Sequence, residues 1–307
     1  MPTISVIIPT YNRRPLLAEA VESVLAQSHA DLELIIVDDG STDDTDTYLQ
    51  SVRLSDARVK PIYKSHIGNI SRVFNVGVET AQGDWIAFLG SDDLWLPNKL
   101  KRQLDALSNA PECRWCYSDF TTIDEGGRPI LRPSGKPFHP YSGWITHQLI
   151  TFDATVASQT CLIAHDLLTQ AGPFDPDVIH GQDYELLLRI SLKGQAVPLN
   201  EALACVREHA QRTTKSRKYP YEQVFAIFDK TFNETLDSSS DAKVKVLCRQ
   251  QCAVALIQAA NYAATRQEPR RAMSLLRQAL HYRPSPSQWT WCLVKSLLKR
   301  IRHSVVG

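Results

Sequence analysis

Four apolar runs open the chain: "ISVIIP" (4 to 9), "LELIIV" (32 to 37), "VKPIY" (59 to 63) and "WIAFLG" (85 to 90). Each is short, unbroken and rich in Ile and Val, where a half-exposed strand would alternate apolar with polar. Such runs are strands of a sheet covered on both faces. Between them lie helical patterns, from about Arg14 to Gln27, from "STDDTDTYLQSV" onward, and near 70 to 82. The order predicts a doubly wound α/β domain.

In open sheets of this kind, ligands collect at the carboxyl ends of the strands, where loops and helix amino termini converge. Three runs end in polar groups: "PTYNRR", "VDDGSTDDT" and "GSDDLW". Adjacent carboxylates repel one another unless something positive sits beside them. A turn or a helix cap accounts for one Asp-Asp pair. Two pairs at two strand ends point instead to a divalent cation carrying a diphosphate, since hard oxygens suit Mn or Mg.

The remaining chain is less regular. Residues 124 to 158, rich in Gly and Pro, read as a long loop over the site. "SQTCLIAHDLLTQAG" reads as strand then helix, "GQDYELLLRISLKG" (181 to 194) as a helix with Leu186, Leu187, Ile190 and Leu192 on its buried side, and "ALACVREHAQRTT" (202 to 214) as strand then loop. From about Tyr219 the pattern is helical, with "DSSSD" (237 to 241) a linker and cap. The expected boundaries are 1–215 for the α/β domain, 216–283 for a helical appendage and 284–307 for a basic amphipathic helix. In that last segment Trp289, Leu293, Leu297, Ile301 and Val305 recur every fourth residue, too interrupted to span a bilayer.

Charge supports a distinct tail. No acid follows Glu268, whereas eight Lys or Arg do, so the first 268 residues hold 26 basic against 33 acidic residues. Such a tail either packs on the protein or meets an anionic membrane surface. Seven scattered cysteines, and no charged-then-apolar leader before Ile4, read as reduced thiols in the cytoplasm. Cys113-x-x-Cys116 has metal spacing, but no second pair answers it. No feature calls for nucleic acid.

Together, "PTYNR" (9 to 13), "VDDGSTDDT" (37 to 45), "NVG" (75 to 77), "GDWIAFLGSDDLW" (83 to 95) and "GQDYELLLRI" (181 to 190) resemble the inverting family 2 glycosyltransferases of the GT-A fold, over about residues 1 to 215. The resemblance implies a mixed, mostly parallel sheet with helices on both faces. It also implies transfer of a sugar from a nucleotide-diphosphate donor, UDP first and dTDP or GDP next, to a glycan or glycolipid acceptor. Pro9, Thr10, Tyr11 and Asp39 would form the nucleoside pocket, with Asp39 reading the base and Asp92 meeting sugar or ribose. Asp93 would hold a divalent metal, Mn or Mg, aided by His209, and Asp183 would be the catalytic base. Arg207 and Arg212 are candidates for phosphate.

Three departures from the family pattern stand out: Gly90 and Gln182 replace acids, and Phe74 stands where relatives often carry Arg. The first two leave room for a different reading, a nucleotide-sugar-binding or interaction protein without turnover. Nucleotidyl transfer is excluded by the want of a Gly-rich phosphate loop with Lys near the first strand.

Overall fold

The computed structural model describes residues 3–132, 137–208, 220–238 and 241–283. The chain divides into two compact units, Met1–Lys215 and Ser216–Gly307. In chain order the first unit contains β1 (Ile4–Thr10), α1 (Arg14–Leu25), β2 (Leu32–Asp38), α2 (Thr45–Ser55), β3 (Val59–Tyr63), α3 (Ile70–Thr80), β4 (Trp85–Phe88), β5 (Leu94–Trp95), α4 (Lys99–Ser108) and β6 (Cys113–Ile123). It continues with β7 (Pro129–Ile130), α5 (Thr146–Ile150), a 3₁₀ turn (Ser158–Thr160), β8 (Cys161–Ala164), α6 (His165–Ala171), α7 (Gln182–Ser191) and β9 (Gln195–Arg207).

The strands form one mixed sheet in the order β3-β2-β1-β4-β8-β6-β9-β5, with β7 paired to β6. β3, β2, β1 and β4 run parallel, as do β6 and β9, and most paired residues belong to these parallel ladders. β8 enters antiparallel between β4 and β6. Every residue of β1 and β2 is buried, as unbroken apolar runs require.

The "NVG" motif works through packing. A Cβ on Gly77 would come within 2.4 Å of Ile7 Cγ2, so glycine lets α3 lie directly on β1. Asn75 clasps a distant loop: its Nδ2 donates to Phe174 O and its Oδ1 accepts from Phe174 N, both at 2.9 Å. Phe74 faces inward, packed with Phe88 and Phe174 at centroid distances of 5.3 and 4.8 Å. An arginine is absent there because the position is core, whereas Arg72 is exposed.

Residues 124 to 158 are less of a loop than their composition suggests. They contain β7, which pairs Ile130 with Thr122, and the short helix α5. Elements of two and five residues show no period in a sequence.

The second unit contains α8 (Pro220–Ser238), α9 (Ala242–Thr265) and α10 (Pro269–His281). Asp241 caps α9, accepting from the amides of Lys243 and Val244. Leu256, Ile257, Ala260 and Ala263 of α9 pack with Ala272, Leu275 and Ala279 of α10. Segment 284–307, expected to form the basic helix, lies outside the described residues. Among the described residues no helix is long and apolar enough to cross a membrane.

Candidate active site

The first two strands deliver a polar cluster. Pro9 and Thr10 remain inside β1, buried and paired with Val37 and Asp38, while Tyr11 emerges 41% exposed. Asn12, with φ +50, ties the loops together: its amide donates to Ser41 Oγ and its Oδ1 accepts from Thr42 N. The two acids of "VDDG" diverge. Asp38 accepts from the amide and hydroxyl of Ser41, a turn role. Asp39 turns the other way, its Oδ1 accepting from Ile67 N at 2.5 Å and its Oδ2 from Gly68 N at 3.1 Å. His66 completes the group, stacked on Tyr11 at 4.2 Å with Nδ1 3.1 Å from Asp39 Oδ2. Sequence reasoning missed His66, although "KSHIGN" is the polar segment directly after β3.

At the end of β4, Asp93 N donates to Gly90 O and closes a tight turn. Asp93 is 7% exposed; its Oδ1 accepts from Arg207 N at 2.9 Å and its Oδ2 from Gln159 Nε2 at 3.1 Å. Asp92 Oδ2 pairs with Arg13 Nη1 at 2.7 Å. A phosphate role for Arg207 does not survive. Its guanidinium is 2% exposed and donates to Asp92 O, Glu125 O and Glu19 Oε2, so it anchors the turn from beneath. Arg212 and His209 lie outside the described residues.

Gly90 leaves space at the turn. A Cβ there would stand 2.7 Å from Asp92 Oδ1 and 3.0 Å from Asp93 Oδ2, so two carboxylate oxygens converge on the space glycine leaves open. Two hard oxygens, with the balance from diphosphate and water, match the way Mg or Mn is commonly bound. Among the described residues no group of three or more His, Cys, Asp or Glu is arranged around a metal. Cys113 and Cys116 are buried in β6, where burial pushes the Cys116 thiol up to about 12.

Asp183 sits at the second position of α7, whose N-cap is Gly181 with φ +79 and no side-chain cap bond. It is therefore not the capping residue, and the helix dipole favours an acid there. Its Oδ1 is shielded from solvent. Its charge is felt at the Cys161 thiol, which burial chiefly raises to about 12. Gln159, two residues earlier, holds Asp93. The 3₁₀ turn that carries Gln159 also packs against α7.

Beneath it, Trp95 Nε1 donates to Gln159 O at 2.8 Å, and Lys99 Nζ lies 4.0 Å from the centroid of the Trp95 ring. Burial lowers Lys99 to about 7, with the side chains of Cys161 and Cys116 acting in the opposite direction. The unfolded chain then binds one more proton than the folded chain above pH 7. Stability should rise by up to about 1.4 kcal/mol per pH unit between about 7 and 8.5, before the buried thiols oppose it. Denaturant midpoints across that range check this, and Lys99→Met should flatten the slope.

The model of Glycosyl transferase family 2 matches residues 5–156. Over 207 residues the chain is 32% identical to TuaG of Bacillus subtilis (strain 168), a glycosyltransferase assigned to teichuronic acid biosynthesis, covering 66% of this chain and 78% of TuaG. It is 34% identical over 210 residues to an uncharacterized glycosyltransferase of Rickettsia felis, covering 66% of this chain but only 33% of that longer relative. Among solved structures, S. aureus TarS 1-349 in complex with UDP-GlcNAc matches with TM-score 0.68 at 17% identity, covering 91% of this chain and 92% of the other. The mannosyltransferase PcManGT from Pyrobaculum calidifontis, in complex with GDP-Man and Mn2+, matches with TM-score 0.57 at 17% identity, covering 98% and 87%. Both share the GT-A fold. The strand-end acids, the sheet order and these likenesses lead to one conclusion: the chain is a glycosyltransferase and belongs to family 2.

Proposed function

We propose that this enzyme moves a sugar from a nucleoside-diphosphate donor, a UDP-sugar first, to a hydroxyl of a cell-envelope polysaccharide or glycolipid, with inversion. The observation that carries the reading is the convergence of Asp92 and Asp93 on Gly90, with the 3₁₀ turn that holds Asp93 through Gln159 packed against α7, the helix that bears Asp183. The UDP-GlcNAc complex of TarS supports the donor, and the assignment of TuaG supports a cell-wall type of acceptor.

Tyr11 offers a stacking face to the base, and Asp39, its carboxylate steadied by two loop amides, accepts from a base N–H. Asp93, with Asp92, would hold a divalent cation, Mn or Mg, which supplies neutralisation of the departing diphosphate. His209 is proposed as a further ligand. Asp183 takes the proton from the acceptor hydroxyl as that oxygen attacks the anomeric carbon from the face opposite the diphosphate.

A panel of UDP-, dTDP- and GDP-sugars, assayed with Mn or Mg and with chelator, tests the reading. Release of UDP from one UDP-sugar, abolished by chelator, is expected; metal-independent release would remove the cation from the mechanism. In Gly90→Ala the added Cβ meets the carboxylate ends of Asp92 and Asp93 rather than backbone, so these side chains must shift while the turn itself is kept. The exchange should raise the metal concentration for half-maximal activity about tenfold, equivalent to displacing one ligand oxygen. We assign segment 284–307 to an anionic membrane surface at the cytoplasmic face; truncation before Pro284 should move the protein to the soluble fraction.

A further inference from the structure

Three consecutive carbonyls, at the end of the 3₁₀ turn and the start of β8, each accept from a buried side chain. Gln159 O takes the Trp95 indole N–H at 2.8 Å, Thr160 O takes Gln103 Nε2 at 2.7 Å, and Cys161 O takes Lys99 Nζ at 3.4 Å. The three donors brace one another: Lys99 Nζ also donates to Gln103 Oε1, one turn along α4, at 2.8 Å and lies 4.0 Å from the centre of the Trp95 ring. Lys99 and Gln103 are both 0% exposed. Burying an ammonium group so completely is costly, and packing alone would be better served by an apolar residue. The cost is accounted for if the segment it fixes must be held in one place.

What that segment carries is Gln159. Its Nε2 donates to Asp93 Oδ2 at 3.1 Å, while Arg207 N donates to Oδ1 at 2.9 Å. An ionised carboxylate only accepts, so the amide must present its nitrogen. Oδ2 is also the Asp93 oxygen nearest the space at Gly90, 3.0 Å from where a Cβ would stand. Hydrogen bonds to both oxygens restrain the carboxylate from turning about its Cβ–Cγ bond, which keeps Oδ2 against that space. We infer that Gln159 is a positioning residue for Asp93, and that Trp95, Lys99 and Gln103 form the mount that holds Gln159 to this task. The inference rests on the role proposed above for Asp93 toward the divalent cation.

The test uses the full chain with UDP and MnCl₂, and reads Mn binding from the electron paramagnetic resonance signal of the free ion, without turnover. Gln159→Met, which fills the same space without a donor, should raise the Kd for Mn about tenfold, the usual cost of losing a hydrogen bond that orients a ligand. UDP affinity in the presence of chelator should hold. Trp95→Phe keeps a ring beside Lys99 but removes the N–H that grips Gln159 O, and should raise the Kd about threefold. Because Trp95 acts through Gln159, adding Trp95→Phe to Gln159→Met should weaken Mn binding no further, whereas independent losses of packing would add. Unchanged Mn affinity in Gln159→Met, or additive losses in the double variant, would each overturn the inference. Where Gln159→Met does not fold, Trp95→Phe alone decides, and unchanged Mn affinity there overturns it. Asp93→Asn separates the two assignments: unchanged Mn affinity in that variant removes Asp93 from the metal site, whereas affinity lost in Asp93→Asn beside an unaffected Gln159→Met removes the positioning role alone.

Discussion

Asp183→Asn should lower the rate of sugar transfer about a thousandfold while donor affinity changes less than about twofold. Asn keeps the size of the side chain and its place in the first turn of α7, but it cannot accept a proton from the acceptor hydroxyl. Because the N-cap is Gly181, the exchange leaves the cap itself intact and costs α7 no more than the helix-dipole effect of one charge, about 0.3 to 1 kcal/mol. The measurement is kcat from UDP release alongside donor Kd by calorimetry. A variant retaining more than about a tenth of the rate would mean that the proton leaves by another route.

Glu185→Ala should cost about 3 to 5 kcal/mol of stability, the penalty for leaving a buried charge without its partner. Glu185 and Arg189 pair at 2.6 Å one helical turn apart, with side chains 1% and 6% exposed. Arg189 also donates to the carbonyls of Ala171, Gly172 and Pro173, so the pair fastens the end of α6 to α7. Arg189→Met should be comparably costly, since it removes a charged donor from those carbonyls and from the buried carboxylate. Urea unfolding measures both; losses under about 1 kcal/mol would mean the pair is solvated in solution.

β1 and β2 were legible because continuous burial leaves a continuous apolar run; β3 spans the residues 59 to 63 that its pattern indicates, although as an edge strand it buries only Val59 fully. Strand-end acids were legible because turn chemistry and carboxylate repulsion are local. What the sequence concealed is where each acid points. Asp38 and Asp39 are neighbours with opposite fates, decided by contacts to Ser41 on one side and to residues 66–68 on the other. Arg13, Gln159 and Arg207 hold the Asp92–Asp93 turn from three separate elements, and no spacing rule connects positions 13, 93, 159 and 207. Around α7, Leu186, Leu187 and Ile190 are buried as expected, but so are Glu185 and Arg189, whose mutual pairing a hydrophobic pattern does not register.

The clasp between Asn75 and Phe174 bears on how the chain is made. It joins residues 99 positions apart, and it brings Phe174 against the paired rings of Phe74 and Phe88. During synthesis, the first four strands and α3 leave the ribosome before their aromatic cap exists. Their inner face stays open until residue 174 emerges, about 4 to 17 seconds after Phe88 at ordinary elongation rates of about 5 to 20 residues per second. In that interval the nascent chain presents two uncovered phenylalanines, and nascent α/β chains of this arrangement should recruit holdase chaperones then, releasing them once the clasp closes.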